Sequence, residues 1–322
     1  MPDPHATRPR IGVMFDRDRP PEELPGFAAA LQQAGADDLW VVEDLGWAGS
    51  VGAAALALAA TDRLRVGIGI APVPLRNPAL LAMELAVLAR VHPGRLVAGL
   101  GHGVPEWMRK VGAETGGKLA LLEETIQAVR GLLDGRTVSL HGRAVTVDSL
   151  ALVHPPAQPP PLVTGVVRPR SLELSGRLAD GTILAEGTGP EQVTAALAHI
   201  GRGRDGGRGG PHELIVFAFL HVADDPARAD AATRAMVIGQ AAWLGVDPAE
   251  LFTVIGPAAG IAARVGELAD AGATTVVLRP LGDDPLGQAR TALAALGRAQ
   301  DAAAGSRPPA GSVGASTGTV SG

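Results

Sequence analysis

His102 lies between two glycines, Gly101 and Gly103, at the end of an apolar run that starts at Arg95. An imidazole titrates near neutrality, so one held there serves as a proton donor, as a contact for a ring, or as a hydrogen-bond partner of a nearby loop. Glu43 and Asp44 come at the end of another apolar run, Asp38 to Glu43. Carboxylates at such a place act as proton donors or as helix caps. Gly69-Ile70-Ala71-Pro72 ends a β-branched run, where a glycine either lets the backbone approach a flat ring or eases the strand's exit. Thr164-Gly165 followed by Arg168, Arg170 and Ser171 places cationic side chains at a helix start, a seat for a phosphate or a group of surface arginines. Glu106 and Trp107 line a substrate pocket, or Trp107 packs the segment it sits in.

Most of these residues fall at the ends of strands that alternate with helices. Between Arg63 and Gly103 the chain reads as strand (Leu64 to Ile70), Pro-broken loop, apolar helix (Ala79 to Val91), Pro-Gly turn and strand (Arg95 to Leu100). That is a βαβ unit, which requires a parallel sheet with the carboxyl ends of its strands on one side. The same alternation gives strands at 10–15, 38–43, 64–70, 95–100, 162–165, 181–185, 214–222 and 274–278. Eight such strands predict an α/β fold of the (β/α)8 TIM-barrel type, with a doubly wound open sheet as the alternative.

Insertions are expected at about 104–117 and 135–160, the second holding a hairpin over 136–147 and a proline-rich linker. Gly201 to Pro211 is so rich in glycine that a mobile loop is expected. Residues 1–9 and 301–322 lack apolar periodicity and are expected to be disordered, leaving one barrel domain over 10–300.

Composition narrows the function. The net charge is −5, with lysine only at 110 and 118 and no basic block, which argues against nucleic acid. Cysteine is absent, which removes disulfides, thiolate metal sites and cysteine nucleophiles and favours a cytoplasmic location. The start has no signal-peptide core and the longest apolar run is too short for a bilayer, so no membrane association is expected. No histidine pair shows metal-ligand spacing with a carboxylate, and no serine sits in a glycine-flanked elbow. GLGHG lacks the third glycine of a dinucleotide fingerprint. What remains is a set of glycine-rich strand ends suited to a large planar cofactor.

With those residues in view, the sequence resembles the bacterial luciferase-like monooxygenase superfamily, in the branch that uses the deazaflavin coenzyme F420 and includes methylenetetrahydromethanopterin reductase. The resemblance is carried by ADDLWVVEDL, by VGIGIAPVPLRNPALLAMELAVLARVHPGRLVAGLGHG, by WMRKVGA with LLEETIQAVRGLLDG, by PRSLELSGRLADGTIL and by AGATTVVLRPLGDDP, in order over residues 10 to about 298. It implies a barrel of the luciferase-like type, often dimeric, with the ring at the carboxyl ends of the strands. It also implies a non-prolyl cis peptide at Gly69-Ile70, Gly101 and Gly103 beside the ring, and Gly165, Arg168, Arg170 and Ser171 near the cofactor phosphate.

Two departures stand out. Asp44, preceded by Glu43, takes the place of a histidine found in several deazaflavin dehydrogenases, and Val104 takes that of an acid, with Glu106 two residues on. The resemblance thus implies an F420-dependent oxidoreductase acting on a small organic molecule, with Asp44 or His102 as proton donor and a separate reductase supplying the reduced cofactor. Its alternatives are an FMN-dependent monooxygenase and a non-catalytic flavin-binding relative.

Overall fold

The computed structural model describes residues 8–298, so the disorder expected at 1–7 and 301–322 lies outside the described residues. Among the described residues eleven strands run in chain order: β1 (Arg10–Met14), β2 (Asp38–Val41), β3 (Arg65–Pro72), β4 (Leu96–Gly101), β5 (Val138–His141), β6 (Thr146–Leu150), β7 (Leu162–Gly165), β8 (Gly181–Leu184), β9 (Glu213–Val222), β10 (Val254–Gly256) and β11 (Thr275–Pro280). Parallel pairing runs β1-β2-β3-β4-β7-β8-β9-β11 and returns from β11 to β1, which closes the barrel and excludes the open sheet. These are the eight strands that the alternation of apolar runs and helices predicts.

Alternate residues of each strand point inward. Met14, Trp40, Val97, Val163, Ile183, Ile215, Phe217 and Val277 form the inner core, apart from the larger shell under the helices. Trp40 is fully buried and meets Phe217 edge to face, with centroids 5.4 Å apart. So large a ring fits because the facing positions carry no side chain: a Cβ on Gly12 or Gly67 would lie 2.9 or 2.4 Å from the indole. The outer shell is built from small residues. The helix Ser50–Ala59, for example, buries Ala53, Ala54, Ala57 and Leu58.

The first insertion carries a short helix, Pro105–Lys110. The hairpin of the second is β5–β6, a few residues beyond the expected 136–147, and it is tied down by Glu124, whose carboxylate accepts from the backbone N–H of Arg143, Ala144 and Val145 at 2.8 Å each.

The expected loop at 201–211 is corrected in part, because the helix Pro190–Arg204 continues into it. Glycines on both sides permit close packing there: a Cβ on Gly203 would fall 1.9 Å from the Glu173 carbonyl, and one on Gly176, in the facing helix Pro169–Leu178, 2.1 Å from that of Ile200. Strand β10 is also an addition. Strand β9 is ten residues long and outruns β8, whose pairing with it ends at Val216, so its last residues, Leu220–Val222, are free to pair with β10.

Candidate active site

At the carboxyl ends of the strands the barrel opens into a cavity of about 330 Å³. Its floor comes from β3, where a register shift between Ile68 and Ala71 interrupts pairing with β4 and the Gly69-Ile70 peptide is cis. The Ile70 side chain rests over two glycines. A Cβ on Gly165 would stand 2.6 Å from Ile70 Cγ2, and one on Gly101 3.0 Å from Cδ1. Gly69 is packed against Phe217 in the same way, at 2.8 Å from its Cζ.

The wall formed by β4 and β7 carries His102, Gly103, Arg168 and Ser171. His102 Nε2 lies 3.3 Å from Ser171 Oγ, while its Nδ1 is buried and has no hydrogen-bond partner. Burial, together with the charge of Lys118, lowers the His102 pKa and keeps the ring neutral at pH 7. Arg168 precedes the helix Pro169–Leu178 and gives it no side-chain cap, so the first N–H groups of that helix remain open.

Glu43 and Asp44 both reach the cavity, each already engaged. Arg76 donates to both oxygens of Glu43, Nε to Oε1 at 2.9 Å and Nη2 to Oε2 at 2.6 Å, and the Ser50 N–H also donates to Oε2 at 3.0 Å. Burial alone would raise the Glu43 pKa; the hydrogen bonds from Arg76 and Ser50 outweigh it and hold the carboxyl below its ordinary value. Glu43 is therefore an anchor for Arg76 and for the helix start at Ser50. Asp44 accepts from Arg17 Nη1, and the Arg17 guanidinium lies 4.7 Å from the Trp47 ring centroid. Trp47 in turn approaches Trp107, centroids 6.5 Å apart, across the rim.

The wall made by β1, β8 and β11 holds a buried cluster. Arg279 donates from Nε to Asp16 Oδ2 at 2.7 Å and from Nη1 to Glu186 Oε1 at 3.1 Å.

Of the residues singled out from sequence, Glu43, Asp44, Gly69, Ile70, His102, Gly103, Trp107, Gly165, Arg168 and Ser171 line the cavity together. Four do not. Ala71 and Gly101 are buried in the β3–β4 ladder behind Ile70, Arg170 faces solvent, and Glu106 is exposed and pairs with Lys110 at 3.0 Å. Sequence reasoning passed over Asp16, Arg17, Glu186 and Arg279. Their signal is a charged residue set at or just after the end of an apolar strand. Trp243, from the helix Pro226–Leu244, also lines the cavity and has no such signal.

A closed parallel barrel with an apolar cavity at the carboxyl ends of its strands, floored by glycine-backed Ile70, is a (β/α)8 barrel with its cavity where such barrels keep their sites. The luciferase-like monooxygenase family profile matches residues 4–304, and the chain belongs to that family; it is an oxidoreductase of this superfamily. Among curated relatives it is similar to the 5,10-methylenetetrahydromethanopterin reductase of Methanolobus tindarius, 24% identical over 304 residues, covering 83% of this chain and 93% of that one. Among solved structures it is similar to an F420-dependent secondary alcohol dehydrogenase in complex with an F420–acetone adduct (TM-score 0.79, 19% identity, 90% of this chain and 99% of that one). The coenzyme F420-dependent tetrahydromethanopterin reductase of Methanopyrus kandleri is comparable (TM-score 0.77, 19% identity, 90% and 98%). At such identity the two structures establish the fold alone.

Proposed function

We propose that the chain transfers a hydride between coenzyme F420 and a small organic substrate in the cavity above Ile70. The observation that carries this reading is the floor: Gly101 and Gly165 leave room only for Ile70, whose side chain gives a planar group an apolar shelf. The residues fit such a ring on a second count, since the unpartnered His102 Nδ1 is a buried polar atom that a heteroaromatic edge would satisfy. Curated relatives named as F420-dependent, among them a hydroxymycolic acid dehydrogenase 30% identical over 248 residues, favour the deazaflavin over FMN.

Ile70 and Gly103 would hold the ring, and the open helix start at Pro169 with Arg168 and Ser171 would hold the phosphate. When bound, F420 supplies or accepts the hydride. The chain orients the reactants and excludes water with Phe217, Val166 and the Trp107 rim. His102, hydrogen-bonded to Ser171, handles the proton; Asp44 is occupied by Arg17 and acts as an acceptor.

Anaerobic mixing of the protein with reduced F420 and a panel of small carbonyl compounds is expected to restore the absorbance of oxidised deazaflavin. His102→Asn is expected to slow that by about a hundredfold. Oxygen-dependent turnover of reduced FMN with no reaction of F420 would replace this reading by the monooxygenase, and F420 binding without turnover of any compound by the non-catalytic relative.

The protein is further proposed to work in the cytoplasm as a homodimer, its cofactor reduced by a separate enzyme. The absence of cysteine fits that compartment, and among the described residues no helix is long and apolar enough to cross a membrane. Leu80, Met83, Val87 and Val91, 52–64% exposed, form an apolar stripe along the helix Pro78–Val91 that a second copy would cover. Val87→Asp is expected to yield a monomer in sedimentation, and an unchanged sedimentation coefficient would contradict the assignment of this face. Recovery of the protein in a periplasmic or secreted fraction would contradict the compartment.

A further inference from the structure

Arg279, next to last in β11, has 11% of its side chain exposed and lies between Asp16 and Glu186, which are 15% and 11% exposed. Its Nε and Nη1 are taken by those two carboxylates, and Nη2 makes no hydrogen bond among the described residues. The guanidinium lines the cavity, and its carbon lies 5.7 Å from the Phe219 ring centroid. The next cation along this wall, Arg17, is paired with Asp44. Two guanidiniums thus meet four carboxylates, Asp16, Asp18, Asp44 and Glu186, and the local charge is negative.

The opposite wall has the reverse character. Arg168 and Arg170 have no acidic partner among the described residues and flank an uncapped helix start. An anionic group entering the cavity is therefore drawn to β7 and repelled from β1, β8 and β11. An anion at the free Arg279 Nη2 would stand beside the carboxylates of Asp16 and Glu186, whose charges repel it. A neutral oxygen meets no such repulsion, and one remaining N–H of a charged donor is enough to bind it.

We propose that the β1–β8–β11 wall receives the oxygen of an uncharged carbonyl or hydroxyl compound through Arg279 Nη2 and discriminates against carboxylated and phosphorylated substrates. The proposal rests on the hydride-transfer reading of the cavity and names the substrate class for it. Asp16 and Glu186 are positioning and specificity-determining residues here. They hold the guanidinium in place while cancelling the charge that would otherwise attract anions. Met14, Phe217 and Trp243 make the rest of this side apolar, so the body of the substrate is apolar as well.

Acetophenone and benzoate differ chiefly in the charge of the oxygen-bearing group, and their binding to the full chain is measured by calorimetry with and without F420. Wild type is expected to prefer acetophenone by about tenfold or more. Glu186→Gln and Asp16→Asn keep an acceptor oxygen but release charge on Arg279, and each is expected to shift the ratio about tenfold toward benzoate. Equal or tighter binding of benzoate by wild type would overturn the proposal. So would an unchanged ratio in both folded variants, or failure of wild type to bind either probe. A chain that does not bind F420 at all would fail the hydride-transfer reading instead, while the probe ratio in the unloaded protein still decides the substrate class.

Discussion

The two ends of the barrel use the same ionic chemistry to opposite effect. At the amino-terminal end Asp38, fully buried, accepts from Arg10 and, through both oxygens, from Arg65, at 2.9 and 2.6 Å. Arg65 also reaches both oxygens of Glu213, and Thr275 Oγ1 donates to that carboxylate at 2.6 Å. Strands β1, β2, β3, β9 and β11 are joined by one network whose charges are all partnered. At the carboxyl end the pairs Arg17–Asp44 and Arg279–Asp16/Glu186 are equally close, but hydrogen-bonding atoms are left over: Arg17 Nε, His102 Nδ1 and Arg279 Nη2. A network closed around the buried Asp38 holds strands together, whereas one whose leftover atoms face a cavity over a glycine-backed floor has capacity left for a ligand.

The largest expected effect comes from breaking the network at the amino-terminal end. Asp38→Ala leaves Arg65 with Glu213 alone and takes the carboxylate from the half-exposed Arg10, and is expected to cost about 3 kcal/mol in urea unfolding, with cofactor affinity per folded molecule unchanged. A loss below about 1 kcal/mol would show that this network is dispensable.

A pH titration of stability separates the ends further. His212, just ahead of β9, is pushed down to about 4 by burial and the nearby Arg204 charge, and its Nε2 lies 2.8 Å from Thr182 Oγ1. With a folded pKa below the unfolded value near 6.5, the ring favours folding at neutral pH. That contribution is lost as the pH falls from about 6.5 to 4, because the unfolded chain takes up the proton first. Allowing for partial exposure, stability is expected to fall by about 2 kcal/mol over that window, and His212→Gln should remove this part of the decline. Identical pH profiles for the two proteins would contradict the assignment.

At the open end a smaller and different change is expected. Gly165→Ala places a methyl 2.6 Å from Ile70 Cγ2 and drives that side chain into the cavity. About 1–2 kcal/mol of cofactor binding should be lost, roughly tenfold in affinity, with little change in unfolding. Unaltered affinity would remove Ile70 as the floor of the site.

The barrel was legible because its eight strands are apolar runs that recur with helices between them, and local periodicity is a local property. Strand β10 was not, because three residues carry no period, and the helix through Gly203 was hidden because its glycines serve packing against Glu173. The site divides in the same way. Glycine-rich strand ends marked the floor and His102. The ion pairs around it join residues 27, 93 and 263 positions apart, and only closure of the barrel decides that Arg279 meets Asp16 and Glu186 or that Arg17 meets Asp44.

The most direct test is a parallel titration of the purified chain with F420 and with FMN, read by the change in ring fluorescence. Micromolar or tighter binding of F420 with little affinity for FMN is the predicted result. Preference for FMN, or binding of neither, would contradict the assignment of the cavity above Ile70 to the deazaflavin.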